Sequence, residues 1–190
     1  MKTLERIHFD MAAIASSSKD RPSLQFLKVE PDRVIATDGY CGVTITRRKF
    51  GDEDAPPIEG FTACEVNESI FIDKATAKAL AKNKASKELP ILGYTWSGKN
   101  QSGDVVLAQT DLKAATLTRV PVEMSFPDID QVIPAKPSSY SVKLNATLVK
   151  NIMELVTKLD GDNTFILEIF PDISDYHPSP VKITATSATI

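Results

Sequence analysis

The sequence predicts an α+β protein built from repeated β-α-β-β-β units. Three stretches share one layout, in which a short alternating strand is followed by Asp or Asn and then by a helical segment. These stretches are "RIHFDMAAIAS", "SIFIDKATAKALAK" and "YSVKLNATLVKNIMELV". Each is followed by further strand-like stretches that are separated by turn residues. A unit of this kind therefore begins near residues 5, 69 and 140.

Each helical segment has a predicted N-cap, because the side-chain oxygen of Asp or Asn accepts hydrogen bonds from first-turn backbone N–H groups. The predicted caps are Asp10, Asp73 and Asn145. The third helix has the clearest periodicity, with apolar residues at i, i+4, i+7 and i+11. This stripe consists of Leu148, Ile152, Leu155 and Leu159.

The strands are predicted from Val, Ile, Thr and Phe that alternate with polar residues. The first unit contains "SLQFLKVE", "DRVIAT" and "GVTITRR", the second "PILGYTW", "DVVLAQT" and "KAATLTRV", and the third "TFILEIF" and "VKITATS". The polar loop "SGKNQSG" separates the first two strands of the second unit. We predict one two-unit domain over residues 1–136, divided into 1–66 and 67–136, and an incomplete half-domain over 137–190.

The stretch "VIATDGY" joins two of these strands through Asp38 and Gly39. An Asp-Gly pair between strands is typical of a tight turn, because glycine adopts positive φ at little cost. A catalytic carboxylate at Asp38 is the less favoured alternative. We therefore predict a structural turn here.

The composition is that of a folded, water-exposed protein. Of its 190 residues, 42% are hydrophobic and 25% are charged, and the net charge is −3. This charge argues against nonspecific nucleic-acid binding by the whole surface, but it leaves room for a locally basic face. No apolar run approaches the roughly 20 residues that span a bilayer. The amino terminus "MKTLERIHFD" lacks the apolar core of a signal peptide, so a cytoplasmic protein is expected.

The order of these motifs resembles that of bacterial sliding clamps, the β subunits of the replicative DNA polymerase. The stretches that carry the resemblance are "VIATDGY", "SIFIDKATAKALAK" and "FPDIDQVIP", over roughly residues 5–136. Residues 139–190 are similar to the second half of the family's last domain. The resemblance implies paired units with sheets outside and helices inside, closed into a homo-oligomeric ring around duplex DNA. It implies weak, sequence-independent attraction to phosphate and no catalysis.

Lysines on the second and third helices are the candidates for contact with DNA. Lys74, Lys78 and Lys82 recur at i, i+4 and i+8 and so share one stripe, with Leu80 on the far side. Lys150 and Lys158 share a stripe on the third helix, with Glu154 between them. The alternative is that these lysines form ordinary solvated faces. Periodicity alone favours the solvated faces, and it is the resemblance that indicates contact between these lysines and DNA.

The family also binds polymerase and clamp-loader peptides in a groove. Carried over by position, this groove involves Thr37, Tyr40, Val132, Ile133 and Pro134. The sequence departs from the family at Gly42, where an apolar groove residue is usual. The alternative is that Val132 and Ile133 are ordinary core residues.

Three units are fewer than the six of the family. A ring of six domains therefore needs four such chains, or three if each chain is completed to two domains. The alternative to a ring is a clamp-fold interaction module of a mobile element that does not hold DNA.

Enzyme motifs are weak. Ser16 to Lys19 fits S-x-x-K, but the companion S-D-N and K-T-G motifs are missing. Asp172, Asp175 and His177 could ligate a divalent metal, but a solvated loop is favoured, since prolines flank these residues and their spacing fits neither a helix nor a strand. His8 is predicted to pack inside the protein. We therefore predict no catalytic residue, no metal and no cofactor.

Overall fold

The computed structural model describes residues 3–47, 55–82, 88–131, 144–157, 166–169 and 181–184. The chain divides into two compact bodies, a larger one over Met1–Ile133 and a smaller one over Pro134–Ile190. The described residues combine antiparallel sheets with a few short helices, so the predicted α+β class is confirmed. Among them, no helix has the length and apolar character that crossing a bilayer requires.

The larger body contains two series of elements in the same order. The first is β1 (Leu4–Glu5), α1 (Arg6–Asp10), β2 (Phe26–Val29), β3 (Arg33–Thr37) and β4 (Gly42–Thr46). The second is β6 (Ile70–Asp73), α2 (Lys74–Leu80), β7 (Tyr94–Asn100), β8 (Val105–Thr110) and β9 (Ala115–Arg119). Strand β5 (Phe61–Ala63) lies between the two series. Short 3-10 helices cover Met11–Ala13, Pro22–Gln25, Pro90–Gly93 and Ile129–Gln131.

The two units exchange their first strands. One sheet has the order β4-β3-β2-β6, so the first strand of the second unit completes the sheet of the first unit. The other sheet has the order β1-β7-β8-β9, with β5 also paired to β7. Asp73 pairs with Phe26 in one sheet, and Glu5 pairs with Tyr94 in the other. Because the exchange is reciprocal, each unit needs the other to complete its sheet.

This pairing corrects the predicted start of the first helix. Glu5, and not Asp10, occupies the position that Asp73 has in the second unit. The stretch "RIHF", predicted as a strand, is therefore helical, and Asp10 is the last residue of α1. The physical reason is a local bond: the backbone N–H of Glu5 donates to Nδ1 of His8 at 2.9 Å, which closes the first turn.

The other two predicted caps are correct. Asp73 Oδ1 accepts hydrogen bonds from the backbone N–H groups of Ala75 and Thr76, both at 2.9 Å. Asn145 Oδ1 accepts from Thr147 at 3.0 Å and from Leu148 at 3.2 Å. Burial alone would raise the pKa of Asp73, but the hydrogen bonds from Thr76 and Ala75 outweigh it and hold this pKa below its ordinary value.

The second strand of the second unit is displaced relative to its prediction. Pro90–Gly93 form a 3-10 helix, and β7 begins at Tyr94 and continues to Asn100. The first four residues of the predicted loop "SGKNQSG" are therefore strand, and Ser97, Gly98 and Lys99 pair with β8. Trp96 lies inside β7 rather than at its end, and only 2% of its surface is exposed.

The core lies where the two units meet. Helix α2 packs on α1, on β2 and on Met11–Ala13, all of which belong to the first unit. Phe9, Ala77 and Leu80 are buried. The core also takes in residues of β1, β2, β3, β6 and β8, namely Leu4, Leu27, Val34, Ile72 and Leu107. The helix of one unit thus covers the strands of the other, which ties the two units into one hydrophobic core.

The smaller body contains α3 (Ala146–Val156), β10 (Ile166–Ile169) and β11 (Val181–Thr184). The two strands are antiparallel, with Ile166 opposite Thr184 and Ile169 opposite Val181. The predicted strand before α3 lies outside the described residues, apart from Leu144.

Gly98 allows β5 to join its sheet. A Cβ at this position would lie 2.5 Å from Cε2 of Phe61 and closer still to the backbone oxygen of Thr62. We expect Gly98→Ala to lower the free energy of unfolding by about 1–3 kcal/mol, as overpacking typically does. Urea unfolding followed by Trp96 fluorescence measures this. Gly42→Ala is the control, because its Cβ would lie an ordinary 3.7 Å from the Ala36 oxygen. Equal effects of the two substitutions would contradict the prediction.

The cap at Asp73 makes stability depend on pH. Asp73→Ala should cost about 1 kcal/mol at pH 7, since it removes the cap of α2. Because the pKa of Asp73 is lowered in the folded state, this contribution is complete above the ordinary value of 3.8 and is lost as the pH falls through the lowered value. Unfolding of both proteins at pH 7 and near pH 3 tests this. The difference in the free energy of unfolding between the two proteins should shrink at the lower pH. A difference that stays constant, or one that equals the difference produced by the exposed control Asp20→Ala, would refute the prediction.

Candidate functional site

The turn Thr37–Cys41 is held by a compact set of hydrogen bonds. Thr37 Oγ1 donates to the Cys41 oxygen at 2.6 Å and accepts from the Gly39 N–H at 3.0 Å. Asp38 Oδ1 accepts from the N–H groups of Tyr40 and Cys41, both at 2.8 Å. Gly39 has φ +93°. Because its carboxylate binds backbone groups of the turn itself, Asp38 is a turn residue, as predicted. The same backbone bonds hold the pKa of Asp38 below its ordinary value.

The same turn occurs in the second unit, where the sequence did not predict one. Thr110 Oγ1 donates to the Ala114 oxygen at 2.9 Å and accepts from the Leu112 N–H at 2.9 Å. Asp111 Oδ1 accepts from the N–H groups of Lys113 and Ala114 at 2.9 and 2.6 Å. Leu112 stands in the position of Gly39 and has φ +70°. Both turns consist of Thr-Asp followed by a residue of positive φ. The stretch "TDLKA" has leucine and not glycine at this position, so its sequence does not indicate a turn.

The first of these turns borders a groove of about 860 Å³. One wall is the segment Asp20–Leu24, the floor includes Gly42 and Thr44 of β4, and the opposite wall is Ser125–Ile129. Tyr40 stands at the turn with 88% of its surface exposed, and the Arg21 guanidinium lies 5.2 Å from the centre of its ring. Arg21 also donates to the Asp38 oxygen at 3.4 Å. A groove of this size is suited to a short peptide or a small molecule.

Two contacts hold the wall Ser125–Ile129 against the first sheet. The Phe126 and Phe71 rings lie 6.1 Å apart. Just beyond the wall, Asp130 accepts a pair of hydrogen bonds from the Arg33 guanidinium at 2.8 and 2.5 Å. Arg33 also pairs with Glu30 at 2.5 Å. The bond from Arg33 holds the pKa of Asp130 below its ordinary value. The bidentate pair fixes where the wall ends.

The predicted partner-groove residues fall into two groups. Thr37 and Tyr40 line the groove, together with Gly42. Val132, Ile133 and Pro134 lie outside the described residues, although the wall ends only a few residues before them. Gly42 has no side chain, so it contributes only backbone atoms to the lining of the groove.

A second surface is formed by α1 and α2. Arg6, Lys78 and Lys82 line a shallow concavity of about 580 Å³ together with Asp10, Phe9 and several alanines. The Arg6 guanidinium lies 3.5 Å from Asp10, and both side chains are about half exposed. Arg6 was missed in the sequence because the helix was predicted to begin after Asp10. Three cations and one anion make this surface locally basic on a protein of net charge −3.

Lys74 differs from the other two lysines of its stripe. Its Nζ donates to the Ala15 oxygen and to the Ser17 hydroxyl, both at 2.9 Å. Its ammonium group therefore connects α2 to the segment that follows α1. Leu80 is buried on the far side of the helix, as predicted. On the third helix, Lys150 is exposed and lies 3.7 Å from Glu154, and Lys158 is outside the described residues.

The remaining candidate catalytic and metal-binding residues form no shared site among the residues that the structure describes. Ser16 is buried and its Oγ accepts from the Ser18 N–H at 3.1 Å, while Lys19 is exposed. His8 is buried, which lowers its pKa. Asp172, Asp175 and His177 lie outside the described residues, and within the described ranges no three His, Cys, Asp or Glu side chains are grouped as metal ligands.

Comparison with protein-family models and with curated proteins found no match to this chain.

The stability of the wall Ser125–Ile129 against local opening should depend on Asp130. We expect Asp130→Ala to speed amide hydrogen exchange in residues 125–131, because the bidentate pair with Arg33 is lost. Exchange in β7 and β8 should not change. Asp104→Ala, which removes the pair of the half-buried Asp104 with the exposed Arg119 at 3.0 Å, is the control and should leave residues 125–131 unaffected. Exchange mass spectrometry measures both. Unchanged exchange of the wall in Asp130→Ala would show that Phe126 alone holds it.

Proposed function

We propose that this protein is a sliding-clamp-like DNA replication and processivity factor. It encircles or tethers to duplex DNA and binds partner proteins, and it does so without catalysis or a cofactor. It acts in the cytoplasm as a homo-oligomer. Strands β4 and β9 end the two sheets and carry mostly exposed residues, so they offer the edges that association into a ring needs.

The observation that carries the proposal is the exchange of first strands between two matching units. It gives one body with two similar sheets, and it brings α1 and α2 into contact. A clamp of the kind that the sequence resembles needs this arrangement, in which paired helices face the DNA and the sheets form the outer layer.

The helix surface has the charge that such a function needs. Arg6, Lys78 and Lys82 line one concavity, whose lining includes a single carboxylate, that of Asp10. A clamp that holds DNA topologically requires only weak attraction to phosphate, and base contacts would hinder sliding. Three cations against one nearby carboxylate supply attraction of this kind.

The groove beside Tyr40 supports partner binding. It combines an exposed aromatic ring with the apolar side chains of Leu24, Phe126 and Ile129 and with the polar backbone of a turn. Such a site suits an extended peptide that places an apolar side chain between the two walls.

The alternative is a clamp-fold interaction module of a mobile element that binds partners through the groove and does not hold DNA. The modest charge of the helix surface, in which Asp10 neutralises part of Arg6, favours this second candidate. The two candidates differ in whether the helix surface is used.

Charge reversal separates these candidates. We expect Arg6→Glu, Lys78→Glu and Lys82→Glu together to abolish the weak, salt-sensitive association with duplex DNA. Each lost phosphate contact should lower the slope of log K against log salt by about 0.9. Fluorescence anisotropy with a labelled duplex at several salt concentrations measures this. Lys99→Glu with Lys113→Glu is the control, because both lysines are exposed and lie on the second sheet and its turn.

A topological measurement completes the test. A ring should stay on nicked circular DNA at a salt concentration that releases it from the same DNA after linearisation. Loss from both forms would support the interaction module. Binding that survives the charge reversal unchanged would overturn the assignment of the helix surface.

A further inference from the structure

The third helix exposes the face that the other two helices bury. Counted from the N-cap, positions +4 and +7 are Phe9 of α1 and Ala12 of the 3-10 helix that follows it, which are 2% and 1% exposed. In α2 the same positions are Ala77 and Leu80, which are 0% and 4% exposed. In α3 they are Val149, which is half-buried, and Ile152, which is 37% exposed.

Other apolar side chains of the smaller body are exposed as well. Leu148, at position +3 of α3, is 61% exposed, whereas its counterpart His8 in α1 is 2% exposed. Ile166 and Leu167 of β10 are 62% and 40% exposed. Half of the ten large apolar side chains that are exposed among the described residues belong to this body, which contributes far fewer of those residues. A concentration of this kind marks a surface that binds something.

The larger body shows what covers such a face. Helix α2 is buried by α1, by β2 and by Met11–Ala13, all from the other unit. The covering partner is therefore another unit of the same kind. The contact between α1 and α2 is made by equivalent helices, so two identical copies of α3 can equally make it.

We propose that the smaller body pairs with the smaller body of a second copy of this chain, in a two-fold dimer that covers Leu148 and Ile152. Lys150 and Glu154 lie on the opposite side of α3 from Leu148 and Ile152, and the residues beside this face, Val149 and Asn151, carry no charge. Two identical faces therefore meet without repulsion between like charges. The dimer rests on the exposure of α3 and not on the proposed activity on DNA.

Sedimentation velocity over a wide concentration range tests the proposal. We expect the 190-residue chain to pass from monomer to dimer as its concentration rises. Ile152→Lys and Leu148→Lys should each shift this transition to at least tenfold higher concentration, because a lysine ammonium would have to be buried in the interface. Thr147→Lys is the matched control. It adds the same charge to an exposed position about 100° around the helix axis from Leu148 and should leave the transition in place.

A second measurement needs no variant. Amide exchange of residues 148–156 should slow as the wild-type concentration rises through the dimer transition, while exchange in β7 and β8 stays constant. A chain that remains monomeric at every concentration would overturn the proposal. Assembly that Ile152→Lys leaves intact would also overturn it and would point to the edge strands. Assembly that survives Ile152→Lys would overturn the dimer alone, whereas a strictly monomeric chain would overturn the proposed homo-oligomeric ring as well.

Discussion

The reciprocal exchange of β1 and β6 is the constraint on which the rest of the larger body depends. A first strand that pairs inside its own unit would leave α1 and α2 on separate sheets. Because each strand instead completes the other sheet, the chain must bring both helices to the place where the units meet. The buried residues Leu4 and Ile72 lie on the exchanged strands themselves. Strand pairing and hydrophobic burial are thus gained in a single step, which makes the two units cooperative.

The exchange also explains why the groove and the helix surface belong to one body. Phe71 of β6 donates a backbone hydrogen bond to the Pro121 oxygen at 2.9 Å, and its ring contacts Phe126. The segment that leaves the second unit is thereby placed across the first sheet, where it forms a wall of the groove. Asp130 and Arg33 then fix its end. The groove is therefore a product of both units, although the turn at its edge comes from the first alone.

The two Thr-Asp turns share one backbone conformation but present different side chains at the protein surface. In the first unit Gly39 leaves room for Arg21, since a Cβ there would lie 2.5 Å from the Arg21 Nη1. In the second unit Leu112 adopts the same positive φ and places an apolar side chain, 52% exposed, at the equivalent point. Leucine in this region is strained, whereas glycine is not. The hydrogen bonds of Thr110 and Asp111 offset that cost.

Local features were determined by the sequence alone: the α+β class, the caps at Asp73 and Asn145, the turn at Asp38 and the burial of Leu80. Each depends on a few neighbouring residues, so periodicity and capping chemistry reveal it. Tertiary structure alone decided that "RIHF" is helix, that β7 continues to Asn100 and that β5 joins it. For β5 and β7, pairing with a distant strand outweighs local preference. For "RIHF", the pairing of Leu4 and Glu5 with β7 ends the strand at Glu5, where the bond to His8 closes the first turn of the helix. The residues of the candidate site also fall into those that the sequence predicted and those that only the tertiary structure showed. Tyr40 and Lys78 could be named from motifs, but Arg6 and the wall Ser125–Ile129 required the strand exchange, because contacts between distant segments leave no local pattern.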